Sequence, residues 1–329
     1  MNLCDFSYSL PRSFIAQEPM KEREKCKMLF FDKKKERIEH LIFSDILNLL
    51  SAKDALMLNK TRVFPARLIK DGTDILLVKE IEKNIWEVLA KPRKKINKGQ
   101  VLDFGRLKGE VISCFPIVVK FNCNGNLFDI LEEIGKAPLP PYIKRNPEDE
   151  DKIYYQTVYA KDYGSIAAPT AGLHFTDEIL LKLKENEVSI AYLTLHIGLG
   201  TFKTVRCSDI REHRMDGEYV RIEEKIPKDK RIIACGTSVV RALESGVRGQ
   251  ESGVRGQESG VRFWTDLFIY PGFKFKIISG LLTNFHLPES PPFIMTSAFV
   301  GLDELKMLYS EAKEKNYRFG SYGDCMIVL

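Results

Sequence analysis

Five histidines occur in the chain, and four of them sit among small or polar residues. His174 lies in Ala168-Pro169-Thr170-Ala171-Gly172-Leu173-His174-Phe175-Thr176, before a helical pattern. His196 lies in Thr194-Leu195-His196-Ile197-Gly198-Leu199-Gly200-Thr201-Phe202, after an apolar run. His213 is in a strongly polar stretch, Arg211 to Asp216, and His286 ends another apolar run at Thr283-Asn284-Phe285-His286-Leu287-Pro288. Small residues let backbone approach a ligand, and histidine moves protons near neutral pH. His40 stands in a hairpin-like context and reads as structural. Any one histidine alone reads most simply as a packing or turn residue. Four in loops after strands point to a ligand site, because open α/β sheets bind ligands at strand carboxyl ends.

Other chemistries find no support in the residue pattern. The histidines lack H-x-x-x-H spacing, so no metal site is expected. There is no Walker loop and no G-x-S-x-G elbow, and Gly198-Leu199-Gly200 is only a lone G-x-G. The seven cysteines are widely spaced without C-x-x-C, which argues against a disulfide framework and fits a reducing cytoplasm. Two basic groups stand out. Lys91-Pro92-Arg93-Lys94-Lys95 follows Trp86 in a strand-rich stretch and suits phosphates, or is a solvated turn. Arg62 and Arg67 flank an apolar frame and suit a carboxylate or phosphate fork, or a structural ion pair.

The elements that must position these groups divide the chain. Strands are expected at 27–31, 37–43 and 55–58, with Ser44 capping a short helix to Leu50. Between about 66 and 149 short runs alternate with turns, the pattern of a small antiparallel barrel. From about 150 strands and helices alternate again. Thr176 caps a helix over 177–187, a strand follows over 188–197, and another over 231–235 runs into a helix over 239–245. A helix over 302–315 and a strand over 325–329 close the chain. The fold class is α/β: a discontinuous α/β domain, 1–65 and 150–329, with an inserted antiparallel β-barrel domain, 66–149.

One segment repeats. Glu244-Ser245-Gly246-Val247-Arg248-Gly249-Gln250 recurs at 251–257 and begins again at 258–262. Two glycines per seven residues and balanced charge suit an inert, flexible surface loop over 244–262. Two seven-residue units should therefore be removable.

The 329 residues suit two domains. Hydrophobic residues make up 44% and charged residues 29%, which excludes a disordered chain and a membrane bundle. No apolar run is long enough to span a bilayer, and the start lacks a secretory pattern. Lys and Arg exceed Asp and Glu by only 5, so an anionic partner is permitted and must be argued from local charge. Two readings draw on the residues themselves: a non-catalytic RNA-binding protein using the basic β-segment, and a lyase or hydrolase acting on a nucleoside without RNA.

These segments, in order along nearly the whole chain, resemble the S-adenosylmethionine:tRNA ribosyltransferase-isomerases of queuosine biosynthesis. The resemblance rests on 5–11, 59–68, 155–160, 167–176, 196–202, 236–245, 267–272, 280–288 and 317–324. It implies an α/β domain with an inserted barrel. It also implies a reaction: the ribosyl part of S-adenosylmethionine moves to 7-aminomethyl-7-deazaguanine at the tRNA wobble position. Epoxyqueuosine-tRNA forms, and adenine and methionine leave. S-adenosylmethionine is then a consumed substrate and no cofactor is expected. The implied partner is the anticodon arm of tRNA, with no membrane, a monomeric state and a cytoplasmic location.

On that resemblance the proton-transfer candidates are His174 and His196, with His286 third and Asp324 orienting a histidine or holding the sulfonium. Substrate-binding candidates are Asn59, Thr61, Arg62, Arg67, Thr170, Gly172, Gly198, Gly200, Thr201, Phe202, Thr237, Arg241, Asn284, Tyr322 and Gly323. Arg62 or Arg241 would grip the methionine carboxylate or a phosphate. Lys91, Arg93, Lys94 and Lys95 would meet tRNA. The chain departs from the family at Lys60, where aspartate is usual, after Leu68, where it is shorter, at Glu289-Ser290-Pro291-Pro292 and in the repeat.

Overall fold

The structure, a computed structural model, describes residues 1–198, 200, 205–227, 229–251 and 260–329, without side chains for 247–251. Strands β1 (Lys27–Asp32), β2 (Arg37–Ile42) and β3 (Asp54–Asn59) open the chain, and β4 (Thr61–Val63) leads out of the first segment. The inserted domain carries β5 (Arg67–Lys70), β6 (Thr73–Glu82), β7 (Ile85–Lys91), β8 (Val101–Asp103), β9 (Lys108–Cys114) and β10 (Ile117–Asn122). The chain then returns through β11 (Asp162–Ser165), β12 (Ser189–Leu195), β13 (Glu218–Ile222), β14 (Arg231–Cys235), β15 (Val261–Thr265), β16 (Gly280–Asn284) and β17 (Cys325–Val328).

Nine strands form one sheet in the order β15-β13-β12-β3-β14-β16-β17-β1-β2. Its centre, β12-β3-β14-β16, is parallel. Sequence alternation along β3 explains the two cores. Ala55 and Met57 face one cluster, Leu56 and Leu58 the other, and all four are fully buried. Helix Thr237–Glu251 covers the first face through Val239, Val240 and Leu243. Helix Asp177–Glu185 covers the second through Ile179, Leu180 and Leu183, and the Thr176 side chain caps it as expected.

Six strands form the second sheet, β5-β6-β7-β10-β9-β8, with every pairing antiparallel. It is a nearly closed barrel. Lys70 Nζ at the end of β5 lies 3.8 Å from Asp103 Oδ1 at the end of β8. Phe64, Ile75, Leu77, Trp86, Val111, Val119 and Leu131 fill it. Chain entry and exit are stitched together, Arg67 and Lys136 exchanging backbone hydrogen bonds of 3.2 and 2.7 Å.

Four expectations change. Ser44 does not cap a helix: a 3-10 turn over Phe43–Asp45 intervenes, and the Asp45 carboxylate accepts from Ile42 N. Trp86 is a barrel core residue, 4% exposed, not part of a nucleic-acid surface. Helices Leu127–Ile134 and Pro291–Val300 were not expected. The loop over 244–262 is shorter at both ends, mainly at the first. The helix begun at Thr237 runs to Glu251, and β15 begins at Val261. Glu244 is buried and accepts hydrogen bonds from Lys276 N, Ile277 N and Ile278 N at 2.9, 3.0 and 3.1 Å. The remainder, 252–259, lies outside the described residues.

Candidate active site

Strand direction gathers the chemistry at one edge. Strands β3, β12, β14 and β16 all end there, delivering Asn59, His196, Gly236-Thr237 and Asn284 to His286. Strands β13 and β17 run antiparallel to β12 and β16 and begin there, bringing Glu218 and Asp324. A cavity of about 350 Å³ opens at this edge. Thr170, Thr237, Arg241, Asn284 and His286 line it, with Phe268, Ile269, Met295 and Ser321. Small-molecule sites span about 300–1,000 Å³ and combine apolar walls with a few placed polar groups.

Arg241 is the positive charge of this cavity. It is ion-paired with Glu218, and its Nε donates to Leu267 O at 2.9 Å. Its Nη2 has no partner among the described residues. Asn284 is equally buried. Its Nδ2 donates to Gly320 O at 3.2 Å, while its Oδ1 is unpartnered. Buried polar groups left open in this way are what a polar ligand satisfies. His286 touches Thr283 Oγ1 through Nε2 at 2.7 Å, and its carbonyl accepts from the Tyr8 hydroxyl. Burial pushes its pKa down to about 3, so the ring is neutral at pH 7.

His174 lies beside the cavity, in a cleft of about 20 Å³ that also takes in Cys26, Arg23, Arg318, Tyr322 and Gly323. Its Nδ1 is 3.0 Å from Cys26 Sγ, and its Nε2 is unpartnered. Burial, the largest single influence, works against its charged form, but Cys26, Asp324 and Asn284 together outweigh it and the pKa rises. Asn284 contributes in the same direction, linking His174 to the cavity wall. Asp324 does not orient a histidine by hydrogen bond. Its two oxygens accept from Lys27 N and Arg318 N at 3.0 and 2.7 Å, tying β1 and the turn before β17 together.

His196 lines neither space. Its Nδ1 is 2.9 Å from Thr61 Oγ1, its ring stacks on Tyr219, and burial lowers its pKa. Thr61 Oγ1 also meets Ser165 Oγ at 2.7 Å. Asn59 is fully satisfied, donating to Leu195 O and Ser238 Oγ and accepting from Thr61 N and Leu195 N. Lys60 pairs with Glu223 and Asp162, which accounts for a basic residue there. Gly198 N donates to Glu218 Oε1 at 3.0 Å. Gly200 is buried near Asp216. Thr201 and Phe202 lie outside the described residues.

The remaining candidates stand away from the cavity. Arg67 is bidentate to Asp74 inside the barrel domain, at 2.9 and 2.6 Å. Arg62 covers the Tyr163 ring at 4.6 Å and lies 4.0 Å from Glu132. Tyr322 donates to Asp151, which Arg145 also holds. Gly172 leaves no room for a Cβ beside the Tyr159 hydroxyl. Lys91, Arg93, Lys94 and Lys95 are all exposed at one end of the barrel. His40 is structural, held by Tyr317 and Glu311. His213 packs edge-on against Phe268. Glu218, Thr283 and Ser321 escaped the sequence reading; only their nearness in sequence to strand ends marked them.

Among the described residues one set of metal-ligating side chains meets. Cys26, His174 and Cys325 bring donor atoms within 4.8 Å of one another. No fourth His, Cys, Asp or Glu joins them, whereas a closed structural site takes four ligands. All seven cysteines are free. No helix among the described residues is long and apolar enough to cross a membrane.

Fold and site define the class: a two-domain α/β protein with a small-molecule cavity at the carboxyl edge of a largely parallel sheet, carrying a barrel inserted after β4. The model of the family described as "Queuosine biosynthesis protein" matches residues 3–328, and the chain belongs to that family. A relative from Halothermothrix orenii, named S-adenosylmethionine:tRNA ribosyltransferase-isomerase, is 43% identical over 348 aligned positions covering 100% of both chains. The crystal structure of a Thermotoga maritima S-adenosylmethionine tRNA ribosyltransferase is 30% identical over 99% of this chain and 100% of that one, with a TM-score of 0.53.

Proposed function

We propose that this chain is an S-adenosylmethionine:tRNA ribosyltransferase-isomerase. It transfers and isomerises the ribosyl group of S-adenosylmethionine onto 7-aminomethyl-7-deazaguanine at the wobble position, releasing adenine and methionine. Full-length identity of 43% to a relative of that name supports the activity. The observation in the molecule that carries it is the cavity, in which Arg241 and Asn284 converge with open hydrogen-bonding capacity beside His286.

The chemistry sets the roles. A base must take a proton from the carbon beside the sulfonium, and an acid must assist departure of adenine. His286, neutral at pH 7 on the cavity wall, is held by its lowered pKa to a hydrogen-bonding rather than a proton-accepting role. The donating role falls to His174, whose charged form Cys26 favours. Arg241 offers Nη2 to the methionine carboxylate, the geometry guanidinium suits. The pairing of Asn59, Thr61, Ser165 and His196 holds the strand ends that frame the cavity. The exposed lysines and Arg93 at the barrel tip supply the phosphate contacts.

The decisive experiment supplies S-adenosylmethionine together with tRNA carrying the aminomethyl base, and measures free adenine. Adenine is expected only with that tRNA. Release without tRNA, or tRNA binding with no release, would replace the proposal with a lyase or a binding module.

A further inference from the structure

The barrel tip carries an aromatic ring that packing does not account for. Phe115, in the turn between β9 and β10, is 83% exposed. The Arg93 guanidinium lies over that ring at 4.9 Å from its centroid. Register places the two turns at one end of the barrel: Val118 on β10 faces Glu87 on β7, and β7 runs on to Lys91. Phe115 thus shares this end of the barrel with the exposed Lys91–Lys95 segment, of which Arg93 reaches its ring.

Charge at this end is uncompensated. None of the four cations has a carboxylate within ion-pair distance among the described residues. Asp74, the strand partner of Lys91, is held by Arg67. An exposed aromatic beside unpaired cations matches single-stranded nucleic acid: cations follow the backbone while a base stacks on the ring. A protein partner would need acidic side chains and apolar area together. Here the exposed ring is itself covered on one face by a guanidinium and set in a basic surround, which suits a nucleobase more than an acidic protein surface.

We propose that Phe115 is a stacking platform for an unpaired nucleobase of the RNA substrate, backed by Arg93. It is a binding residue outside the cavity, resting on the tRNA reading above. Its free face takes the base, and the lysines fix the flanking phosphates. The contact would strengthen docking without entering the chemistry.

The test uses the full chain and measures tRNA affinity directly by fluorescence anisotropy, alongside adenine release at saturating tRNA. Phe115→Ala should weaken binding about 5- to 150-fold. Phe115→Trp should keep wild-type affinity, and Phe115→Leu should bind like the alanine variant. Turnover at saturating tRNA should stay within about twofold of wild type in all three. Unchanged affinity in Phe115→Ala, or a leucine variant equal to wild type, overturns the platform. Failure of wild-type protein to release adenine from S-adenosylmethionine would instead defeat the ribosyltransferase reading, and the binding comparison would still decide the role of Phe115.

Discussion

At the scale of single residues, the cavity divides its polar groups into those that hold the fold and those left open. Arg241 does both. Its partner Glu218 is 3% exposed, so Glu218→Gln should leave a buried guanidinium uncompensated. Removing one partner of a buried pair costs about 3–5 kcal/mol, and urea denaturation would read it. Arg241→Lys keeps charge but loses the fork, so it should raise KM for S-adenosylmethionine at least about tenfold with less effect on kcat. His286 gives a pH signature. Its folded pKa of about 3 lies below the unfolded value of about 6.5. Between those values the unfolded state binds more protons, so stability falls as pH drops from about 6.5 towards 3. From pH 7 to pH 5 the loss from this group should be about 1–2 kcal/mol. His286→Gln should flatten that part of the denaturation-versus-pH curve; an unchanged slope would show the ring to be charged or exposed. The sequence made these histidines visible because few exist and small residues surround them. It could not separate His286 on the cavity wall from His196 outside it, since both follow buried strands and each hydrogen-bonds a threonine. Only the three-dimensional placement of the strand ends tells them apart.

At the scale of elements, periodicity was readable wherever one face is buried and silent elsewhere. Helix Asp177–Glu185 has a capping threonine and an apolar stripe, and it was legible. Helix Pro291–Val300 is apolar on all sides, so no period marks it, and two prolines at its start suggest a loop. The repeat misled for the opposite reason: its glycines argue against helix, yet tertiary contacts of Glu244 hold its first unit in one. This limits what can be removed. Deleting both units, 244–257, would put Glu258 after Leu243 and so keep a glutamate at the anchor. Only Glu258 to Arg262 would then join Leu243 to Phe263, too few residues to serve both the end of the helix and the start of β15. Deleting only 251–257 joins Gln250 to Glu258, which begins the same sequence again. That single deletion should leave Tm within about 2 °C and adenine release unchanged, by thermal scan and assay. The turn before β17 is less tolerant. A Cβ at Gly323 would stand 2.5 Å from Arg318 O, so Gly323→Ala should destabilise by about 2 kcal/mol or more.

At the scale of the whole molecule, the division into an α/β domain and an inserted barrel was readable from strand spacing, and the near-neutral charge left the role of the barrel open. The structure separates the two tasks in space. The cavity belongs to the sheet edge, while the unpaired cations belong to the far tip of the insert, past the stitched Arg67–Lys136 junction. A net charge of +5 therefore understates the attraction a polyanion would meet locally. The consequence is a salt dependence carried by few residues. Each phosphate contact contributes a slope of about −0.7 to −0.9 in log K against log salt concentration. Replacing Lys91, Lys94 and Lys95 together by alanine should make the slope for tRNA shallower by about 2–3. Binding of S-adenosylmethionine alone should not change. A slope equal to wild type would move the tRNA surface away from the barrel tip and leave the insert without a role in docking.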